Sequence, residues 1–222
     1  GVAGQIVKAF CGFTVVWGPV RAADIPAFLA AGQKKNPEMR TVRFDWYDRL
    51  VLTPIELVQA AKWVPVLLAI AAGLALPIDA GWPVRFLAFA LVIGGAWPVG
   101  SVLFPLFLPM LPSRAFALKG LVLGLVWLAV GSGLGIGLLT GGAGIAAAGP
   151  ALSSLLGLAA SGLIALPCIV WLAMNFTGAS TFTCQTGAMS EVKRALFPLL
   201  ASLGLGLLAG IASLILRMGF GL

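Results

Sequence analysis

The chain has 222 residues, 60% of them hydrophobic and only 9% charged, with a mean hydropathy of +1.07. A soluble domain carries about 25% charged residues, so this composition excludes a water-soluble enzyme and points to an integral membrane protein. The formal charge of +7 does not mark a nucleic-acid binder, because most basic residues fall near the ends of apolar runs, where membrane topology accounts for them.

Residues 1–52 hold what soluble character there is. Residues 1–10 read as the end of a helix. Phe13-Thr14-Val15-Val16-Trp17, closed by Gly18-Pro19, reads as a buried strand. Asp24 is placed to cap a short helix that has Pro26 in its first turn and ends at Gly32. A basic turn at 33–37 leads to a second strand at 39–44. The order helix, strand, helix, strand is that of the tail of an α/β domain. About 50 residues cannot bury enough surface to be stable alone, so the remainder is expected upstream. The chain opens on Gly1 with no signal peptide and reads as a piece of something longer.

Thr53-Pro54-Ile55-Glu56 has the form of a capping box with proline at the first helical position. It predicts a membrane span over 54–76, with Lys62 snorkelling and Trp63 and Trp82 near the interfaces. A second span over 84–111 carries Pro98, Pro105 and Pro109. It is expected to be broken, and packed on its neighbours in its second half, because each proline leaves a carbonyl without its amide. Further spans are predicted over 115–139, 151–174 and 195–217, the third and fourth joined by an uncharged small-residue turn at 140–150. The fold class is therefore mainly α: a five-helix transmembrane bundle over 53–222, preceded over 1–52 by the C-terminal piece of an α/β domain.

Small residues recur every fourth position at Gly133 and Gly137, at Ser153, Gly157, Ser161 and Ala165, and at Ser202, Gly206 and Gly210. That spacing lets helix backbones approach closely and is read as packing rather than a substrate channel. No ionisable residue falls in the middle of a span, where it would mark an ion or proton path. There is no histidine, which removes the usual general base and the commonest metal ligand. Cys11, Cys168 and Cys184 are widely spaced and form no CxxC, so neither a zinc site nor a disulfide framework is supported.

The polar stretch over 174–194 stands out, since no Asp, Glu, Lys or Arg occurs between Lys119 and Glu191. It reads either as a solvated connector or as a recognition surface. With the N-terminal segment cytoplasmic, twelve of the fourteen basic residues lie inside and only Arg85 and Arg217 outside. The stretch then shares a face with residues 1–52. Its two phenylalanines, Phe176 and Phe182, would be costly side by side in water, which favours a loop docked on the soluble segment.

Two blocks carry a family resemblance. The first contains Val-Val-Trp-Gly-Pro-Val-Arg-Ala-Ala-Asp-Ile-Pro-Ala-Phe-Leu at 15–29, then Pro-Glu-Met-Arg-Thr-Val-Arg-Phe at 37–44 and Asp-Arg-Leu-Val-Leu-Thr-Pro-Ile-Glu-Leu at 48–57. The second is Asn-Phe-Thr-Gly-Ala-Ser-Thr-Phe-Thr at 175–183. Together they resemble the membrane-bound corrinoid protein of microbial mercury methylation, a family related through its soluble half to the corrinoid subunits of carbon monoxide dehydrogenase/acetyl-CoA synthase.

The resemblance implies a corrinoid-dependent methyltransferase that passes a methyl group from cobalt to Hg(II), giving methylmercury. It would sit in the cytoplasmic membrane of an anaerobic prokaryote. Its partners would be membrane lipid, its own N-terminal corrinoid domain, and a ferredoxin-like protein with two [4Fe-4S] clusters that returns the cobalt to its reduced state; nucleic acid would not be one. The corrinoid, a cobalamin-type cofactor, would be bound mainly by that N-terminal domain, with Gly18, Pro19, Val20 and Arg21 as the contacts in this chain. Asn175, Phe176, Thr177, Gly178, Thr181, Phe182 and Thr183 would form the domain-docking loop.

The family's cap-helix motif, Asn-Val-Trp-Cys-Ala, is absent, so no cysteine here inherits the cobalt-facing role and the chain alone is expected to be inactive. Cys184-Gln185-Thr186-Gly187 replaces the family's Ser-Pro-Ser-Gly, which leaves Cys184 as an incidental small residue or a transient Hg(II) contact through its soft thiolate. Two other readings stand beside this one: a membrane-anchored methyl carrier with a different acceptor, and a small transport subunit. The absent intramembrane charges and paired thiols count against transport.

Overall fold

Where the chain can satisfy its own backbone, it does so as helix. The structure is a computed structural model that describes residues 3–41, 45–76, 80–141, 152–176 and 185–220, apart from the side chains of 185, 186 and 220. Two compact units divide it between Asp45 and Trp46, seven residues earlier than the boundary expected after residue 52.

The first unit contains α1 (Gly4–Cys11) and α2 (Ile25–Ala30). Gly12 closes α1 at φ 72°, in the left-handed conformation that a side chain resists, and its N–H bonds the Lys8 carbonyl. Neither predicted strand is seen among the described residues. Residues 13–17 lie outside any helix or strand, and no strand occurs among the described residues. Met39 and Arg40 belong to a 3-10 turn over Pro37–Arg40, and residues 42–44 lie outside the described part. A strand needs a neighbour to take its amides and carbonyls, and the described residues of these segments offer none. The Val20 N–H donates to the Met39 carbonyl at 3.1 Å and ties the two stretches at one point. Phe28 is buried, while Phe10, Phe13 and Trp17 are exposed. The α/β character expected of this segment is therefore not seen.

Helices are the regular structure of the second unit among its described residues. Four of its helices are long and apolar enough to cross a membrane, and a bent pair makes a fifth crossing if it counts as one span. That pair is α3 (Trp46–Ala61) and α4 (Val64–Ala75), at 53° to each other. The capping box does not open the helix. The helix begins at Trp46, Pro54 lies inside it, and Thr53 turns its hydroxyl back to the Arg49 carbonyl at 3.2 Å. The chain breaks instead at Lys62-Trp63, just before Val64 and Pro65, where a new helix can start with proline in its first turn.

The proline-rich span is continuous rather than broken. Helix α5 (Trp82–Pro98) passes through a π turn at Val99–Leu103 into α6 (Phe104–Phe107). In that turn the Phe104 N–H reaches the Val99 carbonyl, five residues back, and the Ser101 hydroxyl donates to the Trp97 carbonyl at 2.6 Å. The wider turn carries the helix past Pro98 and into Pro105 without a break; the carbonyls those prolines leave without an amide are those of Gly94 and Ser101. Its second half does pack inward: a Cβ added to Gly100 would lie 2.7 Å from Leu172.

Helices α7 (Phe116–Leu139) and α8 (Leu152–Asn175) match their predicted spans closely. Helix α9 (Gln185–Phe220) begins ten residues earlier than expected, so Glu191, Lys193 and Arg194 are helical rather than in a loop. At 36 residues it is about 54 Å long, well beyond the roughly 30 Å of hydrocarbon.

Helix α8 occupies the centre, with α5, α7 and α9 around it. Buried Ser153, Gly157, Ser161 and Ala165 open its surface to close approach, as their spacing predicts. Helix α7 answers with Gly120, Gly124 and Gly135, where an added Cβ would come within 2.6–2.7 Å of Ala173, Leu166 and Leu158. Gly133 and Gly137 have nothing within 4 Å of such a Cβ, so the contact stripe of α7 lies on a different face from the one predicted.

Candidate functional site

One end of the second unit gathers what the sequence marks as unusual: the close of α8, the start of α9 and of α7, and the turn after α6. Phe176 is 1% exposed, and its ring meets Phe104 edge-on at 6.4 Å. Phe104 in turn meets Phe116 at 6.0 Å. All three rings are buried and pin three helix ends together, with aromatic pairs of this kind worth roughly 0.5–1.5 kcal/mol beyond their buried area. Phe176, expected on a docking loop, is thus packed within the helical unit itself. Asn175 is the last residue of α8. Thr177, Gly178, Thr181, Phe182, Thr183 and Cys184 lie outside the described residues.

Two charged side chains complete this end. The Glu191 carboxylate on α9 accepts a hydrogen bond from the Ala117 N–H in the first turn of α7. It supplies the cap that Ala115, the residue preceding the helix, cannot, and it places negative charge at the positive end of the helix dipole. Lys119 reaches the other way: its Nζ donates to the Leu108 carbonyl at 2.7 Å. Four residues after Leu108 stands Pro112, which has no N–H to offer that carbonyl.

The same logic joins α8 to α9. Pro167 cannot donate to the Leu163 carbonyl, and the Ser202 hydroxyl of α9 fills the vacancy at 2.8 Å. At the opposite end of the unit, Ser213 donates to the Ser153 carbonyl at 2.6 Å. Arg217 donates to the Ala75 carbonyl at 2.7 Å and also to the Leu74 carbonyl, holding the negative dipole end of α4.

None of these contacts was legible from spacing. The available signal was isolation, since Glu191 is the sole carboxylate after Asp79 and Arg217 stands alone after Arg194.

In the first unit, Gly18, Val20 and Arg21 are exposed and Pro19 is half-buried. Of the four, Arg21 alone lines a polar recess of about 170 Å³ shared with Asp24, Asn36, Glu38, Met39 and Thr41. Sites for small organic ligands run to roughly 300–1,000 Å³ and are mostly apolar. The described residues include no group of three or more His, Cys, Asp or Glu placed to hold a metal ion, and the chain offers no imidazole for one axial position. The residues present do not fit a corrinoid.

Of the described cysteines, Cys11 is exposed and Cys168 half-buried on α8. Against known protein families, curated proteins and solved structures, the chain gives no match.

Proposed function

We propose that this chain is the membrane unit and docking face of a corrinoid-dependent methyltransferase whose methyl acceptor is Hg(II). The observation that carries the reading is the pair of sequence blocks at 15–57 and 175–183, which resemble one family although more than a hundred residues of membrane helix separate them. The first block runs into α3 and the second begins on the last residue of α8, so both border the helical unit. Cofactor-dependent methyl transfer asks the protein for position rather than for acid or base, which suits a chain with no histidine and seven carboxylates.

In this reading the corrinoid is carried by a domain preceding residue 1. The described helices anchor that domain in the cytoplasmic membrane of an anaerobic prokaryote. The buried Phe104–Phe116–Phe176 cluster gives the docking loop a fixed root. The basic bias of the short segments supports a cytoplasmic side for residues 1–45 and for the 177–184 stretch in this reading. Reduction of the cobalt falls to a ferredoxin-like partner with two [4Fe-4S] clusters.

The test is genetic and chemical. In the source cells, deletion of the gene should abolish methylmercury formation from added Hg(II), and the intact gene should restore it. Phe182→Ser should impair methylation while the protein stays in the membrane fraction. Methylation that survives the deletion, or a membrane fraction whose protein-bound cobalt does not change with it, would sink the reading.

A further inference from the structure

An apolar recess of about 390 Å³ opens on the outer surface of the helical unit, between the α3–α4 elbow, α5, α8 and α9. Trp63, Trp97, Trp171, Cys168, Leu200 and Leu203 are among its lining residues. Trp63 and Trp171 are substantially exposed, so the recess is open to whatever surrounds the bundle. Its walls belong to segments that cross the membrane, and the surrounding medium is therefore lipid.

An acyl chain gains little from leaving other acyl chains, because lipid tails are as apolar as the leucines here. Selectivity must come from the rim. The Lys62 ammonium lies 5.9 Å from the centre of the Trp63 ring. Lys193 is exposed on α9 and shares a helical face with Leu196, Leu200 and Leu203, at spacings of three, seven and ten residues. Arg194 follows it; the carboxylates near these positions are Glu56, one turn before Ala60 on α3, and Glu191, two residues before Lys193 on α9. Near these positions the three cations Lys62, Lys193 and Arg194 stand against two carboxylates, Glu56 and Glu191, a net charge of +1. Aromatic walls with cations above them match a lipid whose chain is buried and whose phosphate sits at the interface.

We infer that this recess is a specific site for an anionic phospholipid, with one acyl chain against Trp97, Trp171 and Leu203 and the phosphate held by Lys62 and Lys193. The site is independent of the methyltransferase reading. It concerns only the helical unit and the leaflet at the start of α9.

The experiment reconstitutes the full chain in phosphatidylcholine vesicles doped with a phosphatidylglycerol that carries a diazirine on its acyl chain. Illumination should label peptides containing 167–172 and 196–203. Unlabelled phosphatidylglycerol should suppress that labelling better than phosphatidylcholine, by about fivefold for each contributing cation. Lys62→Gln combined with Lys193→Gln should erase the preference; both positions are exposed, so the fold is not at stake. Leu200→Trp, which fills the recess and leaves both cations in place, should remove the labelling itself. Equal competition by phosphatidylcholine would reduce the site to ordinary lipid contact and overturn the inference. Competition by inorganic phosphate, or a crosslink between two copies of the chain in place of the lipid adduct, would overturn it as well.

Discussion

Ser202→Ala should destabilise the bundle only while residue 167 is proline. The Leu163 carbonyl lies four residues before Pro167 and receives the Ser202 hydroxyl at 2.8 Å. Removing that hydroxyl leaves a carbonyl with no amide of its own helix to turn to. An unsatisfied polar group of this kind costs about 1–3 kcal/mol in a protein interior. Interhelical hydrogen bonds within membranes average about 0.6 kcal/mol with a ceiling near 1.7, so a loss of about 1–1.5 kcal/mol is expected.

Pro167→Ala restores the N–H at 167, and with it the ordinary bond to Leu163. In that background Ser202→Ala should cost only a few tenths of a kcal/mol. The double-mutant cycle should therefore give a coupling near 1 kcal/mol between two residues on different helices. Unfolding of the purified protein by a denaturing detergent in mixed micelles, followed by loss of helical circular dichroism, measures all four corners. If Ser202→Ala costs the same in both backgrounds, Ser202 is not serving the proline-orphaned carbonyl and the account is wrong.

Three further outcomes follow from the same structure. At Gly206, a Cβ would stand 2.9 Å from Ile164 and 3.1 Å from both the Ala160 carbonyl and Leu163; Gly206→Ala should lose about 0.5–2 kcal/mol net in the same unfolding assay, after roughly 0.5–1 kcal/mol of helix propensity is credited. Gly204→Ala, with nothing within 4 Å, should gain stability instead, and equal effects at the two glycines would show that α9 does not pack as described. Glu191→Ala should cost about 0.5–2 kcal/mol by uncapping α7, and Glu191→Gln, which keeps an acceptor, should cost less; identical losses would deny the cap. Cysteines introduced at Ser190 and at Gly141, in a background lacking the native thiols, should react with a membrane-impermeant reagent from opposite sides of intact cells, with position 141 labelled and position 190 protected. Labelling of both from outside would overturn the topology.

Composition alone pointed to a mainly helical chain with helices long and apolar enough to cross a membrane. A residue string with 60% apolar content must satisfy its amides internally once water is excluded, and uninterrupted apolar runs can do that only as helices. The bounds of α7 and α8 were legible for that reason, as was the close-packing role of Ser153, Gly157, Ser161 and Ala165 on α8.

What failed was local. Thr53-Pro54 looked like a helix start because a cap motif records only its own four residues, whereas the helix is set from Trp46 onward. The strands at 13–17 and 39–44 were inferred from β-branched and aromatic content, which has force only where a partner strand exists. The stripe on α7 was misplaced because Gly133 and Gly137 share a spacing with Gly120 and Gly124 but not a face, and a face acquires meaning only from the helix that meets it.

Only the tertiary structure could decide where the prolines' orphaned carbonyls find donors. Ser202, Lys119 and Glu191 are each explained by a backbone group that lacks its own partner. For Ser202 and Glu191 that group lies dozens of residues away, and the cost of leaving it bare in lipid fixes which helix stands beside which.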